Sequence, residues 1–220
     1  MILNLILETM RKLLLSFIVC GFALTSTNAN AQAVQEGNVI IDAYYGFPNL
    51  YTSIYKGLYA NSGTEINLTI GGIGPLGGRI EYLVADKFGV GLDIAYDNTT
   101  INYQEAKSVY NTTTMVTEER TYDYDYATRK IGGMVTFNYH FLDHDALDAY
   151  AMIGAGYKNR NFSFESTDPD YTAATVSGLI PIAFRIGGGM RYFFTPNIGA
   201  NLAIGIGQGG IVNGGISVKF

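Results

Sequence analysis

The segment from Leu179 to Phe194 has the sequence LIPIAFRIGGGMRYFF, in which apolar residues alternate with small or charged ones. Ile182 and Phe184 fall on one face, and Arg185 and Arg191 fall on the other. A period of two residues is the signature of a β-strand with two different faces. This segment therefore predicts a strand with one apolar and one polar face.

Two further segments follow the turn Thr195–Asn197 and repeat the alternation. They are Ile198 to Gly207 (IGANLAIGIG) and Ile211 to Phe220 (IVNGGISVKF). Each has about ten residues, which is the length that a tilted strand needs to cross a bilayer. In a soluble sheet the apolar face would cover a protein core, but here we expect it to face lipid.

Five earlier segments share the alternation and bring the predicted number of strands to eight. They span residues 38–47, 76–85, 88–97, 128–141 and 148–164. Long connections follow the first, third and fifth strands, at residues 48–75, 98–127 and 165–178. An even strand number with short turns on one side and longer loops on the other is typical of an outer-membrane barrel.

A soluble lipocalin-type barrel also has eight strands and is the alternative. In that fold the apolar faces point inward around a ligand, whereas here the inward faces carry charges and glycines. The sequence therefore predicts an all-β fold, an eight-stranded antiparallel up-and-down transmembrane β-barrel of the outer membrane. Aromatic residues near the short turns are expected to form a girdle at the membrane surface: Tyr82, Phe88, Tyr139, Phe141, Tyr192, Phe193 and Phe194.

The first residues form a targeting segment rather than part of the fold. Basic residues after Met10, an apolar stretch and the small-residue site at residues 29–31 predict a signal peptide over residues 1–31. Met10 is the expected true start. Residues 32–37 are a short lead, and residues 38–220 form a single barrel domain.

Composition excludes several classes of protein. The formal net charge of −5 argues against nucleic-acid binding, which needs a basic surface. The one cysteine, Cys20, lies in the predicted signal peptide, so the mature chain has neither a disulfide scaffold nor a thiol nucleophile. We expect no cofactor and no metal.

Three stretches resemble the small outer-membrane β-barrel family, the porin-family group of OmpX-like and OmpA-transmembrane-like barrels. They are EYLVADKFGVGLDIAY (81–96), FRIGGGMRYFFTPNIGANLAIGIG (184–207) and GGISVKF (214–220). The resemblance covers about residues 38–220. It implies an integral protein of the Gram-negative outer membrane, reached after signal-peptide export, that contacts outer-membrane lipid. It also implies that the barrel-assembly machinery recognises Ile216, Val218 and Phe220.

The inward faces carry a set of ionisable residues that is the main candidate site. Its members are Asp42, Arg79, Glu81, Asp93, Lys130 and Arg185, with Arg191 and Lys219 in addition. The turn Asp86–Lys87 predicts that Glu81 lies nearly opposite Asp93, with Arg185 in reach of both. Two such carboxylates repel unless a proton or a cation intervenes. The network is either a proton or ion relay or a salt-bridge plug, and the small interior of an eight-stranded barrel favours the plug.

The two histidines, His140 and His144, fall in the predicted turn HFLDHDA. With Asp143 and Asp145 they suggest a metal site or a solvated turn, and the sequence favours the turn. No histidine lies on the long-loop side, where we expect the histidine of an outer-membrane enzyme, and no catalytic motif is present. We therefore expect a protein that is not an enzyme.

Two features of the loops suggest contacts. Asn49 can cap a short amphipathic helix whose stripe comprises Leu50, Tyr51, Ile54, Tyr55, Leu58 and Tyr59. We expect this stripe to cap the barrel mouth or to dock another outer-membrane protein. The alternation YDYDY at residues 122–126 suggests either a calcium or partner site or a strand that continues above the membrane, and it favours the strand.

These features together predict a structural or interaction protein, an accessory subunit of a larger outer-membrane assembly. The contact surface would be the outer loops 48–75 and 98–127. A narrow channel for small solutes or ions is the alternative, and an enzyme comes third.

Overall fold

The strands of the chain close into a barrel in a computed structural model that describes residues 33–59 and 66–220. The predicted signal peptide lies outside the described residues. In chain order the elements are β1 (Val39–Phe47), α1 (Leu50–Tyr59), β2 (Ile66–Gly71), β3 (Leu76–Ala85), β4 (Phe88–Asn111), β5 (Val116–His140), β6 (Leu147–Ser166), β7 (Ala174–Ser177), β8 (Ile182–Phe193), β9 (Ile198–Gly207) and β10 (Val212–Lys219).

Eight of these strands form a closed antiparallel ring. Their order is β1, β3, β4, β5, β6, β8, β9 and β10, and β10 returns to pair with β1. The two short strands lie outside the ring, with β2 paired to β4 and β7 paired to β6. Closure leaves no unpaired edge in the ring, as a barrel in lipid requires. The predicted fold class is confirmed.

Burial alternates along the ring strands as predicted. In β1, Asp42 and Tyr44 are buried, while Ile41 and Tyr45 on either side of them are exposed. The same alternation in the other strands places a continuous apolar surface outside and the polar residues inside. An outward apolar band with a polar interior is the arrangement of a transmembrane barrel.

The aromatic girdle is confirmed except for one residue. Six of its seven predicted members are exposed beside the short turns: Tyr82, Phe88, Tyr139, Phe141, Tyr192 and Phe194. Phe193 is only 5% exposed and packs inside the barrel with Ile40 and Leu83. It follows Tyr192 in the strand and therefore points to the opposite, inner face.

The polar connection predicted over residues 98–127 is wrong for most of its length. β4 continues to Asn111 and β5 begins at Val116, so that only residues 112–115 form the turn. Asn111 accepts hydrogen bonds from the backbone N–H groups of Thr113 and Thr114 at 3.0 and 3.3 Å. The Thr- and Tyr-rich sequence suits a paired strand, and pairing satisfies its backbone groups. β7 likewise occupies part of the connection predicted over 165–178.

These extensions form an outer sheet beyond the ring. We use that name for β2, residues 98–111 of β4, residues 116–127 of β5, residues 158–166 of β6, and β7. The extension of β4 alone has a strand length of roughly 45 Å, at about 3.4 Å per residue. The YDYDY segment is part of β5, so its interpretation as a continuing strand is confirmed.

One face of the outer sheet is aromatic. Tyr103 stacks on Tyr124 with ring centroids 5.1 Å apart, and Tyr126 meets Phe164 edge-on at 5.2 Å. Tyr171, from the segment before β7, meets the Tyr124 ring at 5.7 Å. The extended hairpin is therefore a packed structure rather than an unstructured loop.

A bulge shifts the pairing between β3 and β4. Ala85 pairs with Phe88, but Leu83 pairs with Gly89, which moves the register by one residue. Consequently Arg79 lies opposite Asp93, and Glu81 lies opposite Gly91. The predicted face-to-face placement of Glu81 and Asp93 is wrong, because the bulge inserts one unpaired residue.

Helix α1 lies at the end of the barrel where the strands are long. The side chain of Asn49 accepts the backbone N–H of Thr52 at 3.3 Å, so the predicted cap is confirmed. The Thr52 hydroxyl lies 3.0 Å from that of Thr99, an inward-facing residue of β4. Ile54 and Leu58 are exposed at 57% and 69%. The start of the helix contacts the mouth, while Ile54 and Leu58 are exposed.

Candidate functional site

The predicted inward-facing charges lie inside the barrel, and most of them meet in one buried cluster. We call this the lumen cluster and define it as Asp42, Arg79, Glu81, Asp93, His140, Asp148, Tyr150 and Arg191. None of these side chains is more than 3% exposed. The cluster includes Asp148, Tyr150 and His140, to which the sequence analysis assigned no part in the lumen.

Arg191 is at the centre of the lumen cluster and contacts three carboxylates. It binds Asp42 through Nε at 3.1 Å and Nη2 at 2.9 Å, Glu81 through Nη2 at 2.6 Å, and Asp148 through Nη1 at 2.9 Å. Its guanidinium also lies 4.3 Å from the centre of the Tyr150 ring. A guanidinium is always charged and offers five fixed donors, so it can hold several carboxylates together.

Arg79 forms a second centre of hydrogen bonds in the lumen cluster, nearer to the outer sheet than Arg191. Its Nε and Nη2 donate to Asp93 Oδ2 at 3.2 and 3.1 Å, and its Nη1 donates to the Tyr150 hydroxyl at 3.0 Å. The Tyr44 hydroxyl and Gln208 Nε2 donate to the other oxygen of Asp93 at 2.9 and 2.7 Å. Asp93 is therefore bonded by neighbours from β1, from β3 and from the turn between β9 and β10.

His140 belongs to the lumen cluster, so its predicted place in a solvated turn is wrong. It is 2% exposed, and its ring lies between Asp148, at 2.7 Å from Nδ1, and Glu81, at 2.9 Å from Nε2. A neutral imidazole has one N–H, so both contacts are hydrogen bonds only when the ring carries two protons. Because His140 ends β5 on the inward face, the alternation of that strand was the signal that could have placed it inside.

A charged His140 adds to the positive side of the cluster. Its four buried carboxylates (Asp42, Glu81, Asp93 and Asp148) face two buried guanidinium groups, those of Arg79 and Arg191. Buried charges persist in a protein only when paired and hydrogen-bonded, so the imidazolium is the form that this arrangement supports.

Glycines provide the space for these side chains. A Cβ atom at Gly89 would lie 2.0 Å from Glu81 Oε1, and one at Gly189 would lie 2.5 Å from the Tyr150 hydroxyl oxygen. No larger residue fits without moving a bonded group. The high glycine content of the inner face therefore reflects close packing of the lumen.

The short lead closes the barrel at its short-turn end. Ala33 and Val34 are 1% and 3% exposed, and Val34 belongs to an apolar group with Leu83 and Phe193. The backbone N–H of Ala33 donates to the His144 carbonyl at 2.6 Å, and Lys219 Nζ donates to the Ala33 carbonyl at 2.5 Å. This apolar layer lies next to the lumen cluster and was not anticipated from the sequence.

Arg185 and Lys130 lie at the opposite end of the lumen. Arg185 Nη1 donates to the carbonyl oxygens of Gln208 and Gly210, the latter at 3.0 Å. The expected contact of Arg185 with Glu81 and Asp93 is therefore replaced by contacts with the turn between β9 and β10. Lys130 forms an ion pair with Asp97 on the neighbouring strand.

The geometry favours a static plug over a relay. Each carboxylate of the lumen cluster accepts at least two hydrogen bonds from fixed donors, and the side chains fill the cross-section. An eight-stranded barrel has an interior just wide enough for side chains to fill. The cluster joins side chains of β1, β3, β4, β5, β6 and β8 across the lumen.

The remaining predicted residues lie on outer surfaces. Ile216 and Phe220 are exposed on the lipid-facing side of β10, where Val218 lies between them in the alternation. Their recognition by the assembly machinery stays a prediction. Of the α1 stripe, Leu50, Ile54 and Leu58 are exposed, and Tyr55 is half-buried.

Comparison with known proteins finds no matching family model and no matching curated protein. Similar solved structures exist. The N-terminal β-barrel domain of Pseudomonas aeruginosa OprF is 14% identical with a TM-score of 0.40, covering 84% of this chain and 99% of that one.

Two other structures show the same degree of similarity. Ail, the attachment invasion locus protein of Yersinia pestis, is 13% identical with a TM-score of 0.39, covering 84% of this chain and 99% of its own. The outer-membrane protein OprG of Pseudomonas aeruginosa is 13% identical with a TM-score of 0.41, covering 86% and 99%. These are similarities of fold alone.

Proposed function

We propose that this chain is an integral barrel of the bacterial outer membrane with a sealed lumen, and that it acts as a structural or interaction protein. The observation that carries the proposal is the lumen cluster, which fills the barrel with paired buried charges. The apolar layer around Val34 adds a second barrier at the short-turn end.

The proposed location rests on the outer surface of the ring. Large apolar side chains cover this surface on strand after strand, for example Ile80, Leu92, Ile153 and Ile204, which are 47–57% exposed. A soluble protein rarely leaves a continuous apolar belt of this extent uncovered. Lipid covers such a belt in outer-membrane barrels, with the short turns facing the periplasm.

The proposed interaction surface lies outside the membrane. It combines the outer sheet with the exposed residues Ile54 and Leu58 of α1. The predicted contact loops 48–75 and 98–127 contribute to it, the second as a paired hairpin. A rigid sheet of this kind presents a defined face to a partner at a low entropic cost.

Conductance of the purified barrel in a planar bilayer tests the sealed lumen. We expect no discrete openings for the wild-type chain. A variant without the plug, Arg191→Ala with Phe193→Ala, should conduct if it still folds, as judged by heat-modifiable migration on a gel. Reproducible openings of the wild-type chain would instead support the narrow-channel alternative.

Co-purification tests the interaction role. A partner in the outer membrane should be recovered with the wild-type chain and lost with Ile54→Ser/Leu58→Ser. Lys87→Gln, at the opposite end of the barrel, is the control and should retain it. Identical recovery with all three proteins would remove α1 from the contact surface.

A further inference from the structure

A cavity of about 130 Å³ opens at the mouth of the barrel, between the lumen cluster and the outer sheet. Its wall includes Asp97 of β4, Lys130 of β5, Lys158 and Arg160 of β6, and Gln208 of the turn between β9 and β10. One water needs about 10–15 Å³ measured in this way, so there is room for a small ion with part of its hydration shell.

The cations of this wall are adjacent in the sheet. Asp97 pairs with Lys130, and Lys130 pairs in turn with Arg160, so that three charged residues form a row across β4, β5 and β6. Lys158 follows two positions away on the same face. Like charges directly opposite each other on neighbouring strands are destabilising. The row therefore costs stability unless something negative lies near it.

Asp97 supplies negative charge within the row and forms its ion pair with Lys130. Among the described residues no carboxylate forms an ion pair with Lys158. The described residues of the wall include three cations and one carboxylate, in a chain whose formal net charge is −5. This concentration of positive charge is a local feature rather than a reflection of composition.

Arg185 adds a buried positive charge directly below the cavity. Its Nη1 donates to the carbonyl oxygens of Gln208 and Gly210, both of which line the cavity. Its Nε and Nη2 are buried and have no hydrogen-bond partner in the described part of the chain. A buried guanidinium with unused donors is costly unless an anion or ordered water meets it.

We propose that this cavity is a binding site for a phosphate-type oxyanion. Lys158 and Arg160 would contact the anion, and Arg185 would stabilise it from below by its charge. A guanidinium and an ammonium together match the charge and the acceptor oxygens of a phosphate group. The group can belong to a free phosphate compound or to a lipid headgroup, since both present the same oxygens.

Inorganic phosphate is the probe for the first test, with the barrel refolded in an uncharged detergent and binding followed by ³¹P NMR line broadening. We expect saturable binding to the wild-type chain and binding at least tenfold weaker to Lys158→Gln/Arg160→Gln. The matched control is Lys87→Gln/Arg120→Gln, which removes two exposed cations elsewhere. This control should bind like the wild type.

Asp97→Asn gives a test of opposite sign. It keeps the shape of the side chain and removes the negative charge of Asp97 from the wall, so phosphate should bind several-fold more tightly. A variant that merely damaged the fold would not gain affinity. Absence of saturable binding to the wild-type chain, or equal binding by the wild type and Lys158→Gln/Arg160→Gln, would overturn the proposal.

A second experiment, carried out in lipid, distinguishes a free phosphate compound from a lipid headgroup. The barrel is placed in nanodiscs made of neutral lipid, with or without a lipid that carries a phosphomonoester headgroup, and titrated with inorganic phosphate. Competition by that lipid supports headgroup binding at the site. Unchanged phosphate binding supports a soluble ligand.

Discussion

Arg191 and Asp42 are separated by 149 residues in the sequence and are joined by two hydrogen bonds of 3.1 and 2.9 Å. Arg191 lies on β8 and Asp42 on β1, with β9 and β10 between them in the ring. The pair therefore crosses the lumen instead of linking neighbouring strands. Through Glu81 and Asp148, the same guanidinium also reaches β3 and β6.

Removal of this guanidinium should destabilise the barrel strongly. Arg191→Met leaves Asp42, Glu81 and Asp148 buried without their common partner. Breaking one side of a buried ion pair typically costs about 3–5 kcal/mol. The free energy of unfolding in denaturant, measured in lipid vesicles, is the readout.

Arg120→Met is the control for that measurement. Arg120 and its partner Glu118 are about half exposed on the outer sheet, at 50% and 41%. An exposed pair contributes about 0–1 kcal/mol. Similar losses for both variants would contradict the central role of Arg191.

Close packing around Glu81 predicts that a substitution at Gly89 destabilises the barrel. Gly89→Ala places a methyl group 2.0 Å from Glu81 Oε1, so the carboxylate must leave His140 or Arg191. We expect a loss of about 1–3 kcal/mol in the free energy of unfolding, the cost of a buried group left without its partner.

Gly133→Ala is the matched control on a neighbouring strand. A Cβ at Gly133 meets no atom within 4 Å, so this change should be neutral or slightly stabilising, by up to about 1 kcal/mol. A neutral result for Gly89→Ala as well would show that Glu81 can move without cost.

We expect the short lead to seal the short-turn end of the barrel, and proteolysis can measure whether it stays docked there. Val34→Asp places a carboxylate in the apolar group with Leu83 and Phe193. The lead should detach, since a charge moved into apolar surroundings is expensive, and the nearby Lys219 ammonium already donates to the Ala33 carbonyl. Faster cleavage at residues 33–38 by an added protease is the expected result. Gln35→Asp, an exposed neighbour, should be cleaved like the wild type.

The hydrogen bonds of Asp168 predict that the stability of the outer sheet depends on pH. Hydrogen bonds from the Lys107 ammonium and the Tyr124 hydroxyl, both at 2.7 Å, lower the pKa of Asp168 to about 2. A carboxyl whose pKa is lower in the folded state stabilises that state above its ordinary pKa of about 3.9. This contribution is lost as the pH falls from about 4 to 2.

The near-UV circular dichroism of the tyrosines follows this change. The wild-type signal should decrease over that pH range because Tyr124 and Tyr171 lose their fixed packing. Asp168→Asn should have a weaker signal without the pH-dependent step, and Asp170→Asn should behave like the wild type. An identical acid transition in all three proteins would assign it to another group.

Some residues were placed correctly by the sequence because their positions follow from alternation. Asp42, Arg79, Glu81, Asp93 and Arg185 all face the lumen as predicted. The period of two residues determines the face of each side chain wherever one face is apolar. Lipid on one side and a narrow lumen on the other leave no choice of face.

Pairing across the barrel depended on details that a pattern of alternation does not contain. One bulge at Leu83–Ala85 set Arg79 opposite Asp93, and the packing of the barrel brought His140 between Asp148 and Glu81. Arg191 and Asp42 are 149 residues apart in the sequence, and their contact can form only when the ring is closed. The sequence by itself determined the barrel and the inward face, because both follow from local period and length. Only the tertiary structure decided which charges meet, because register and closure depend on the packing of all eight strands together.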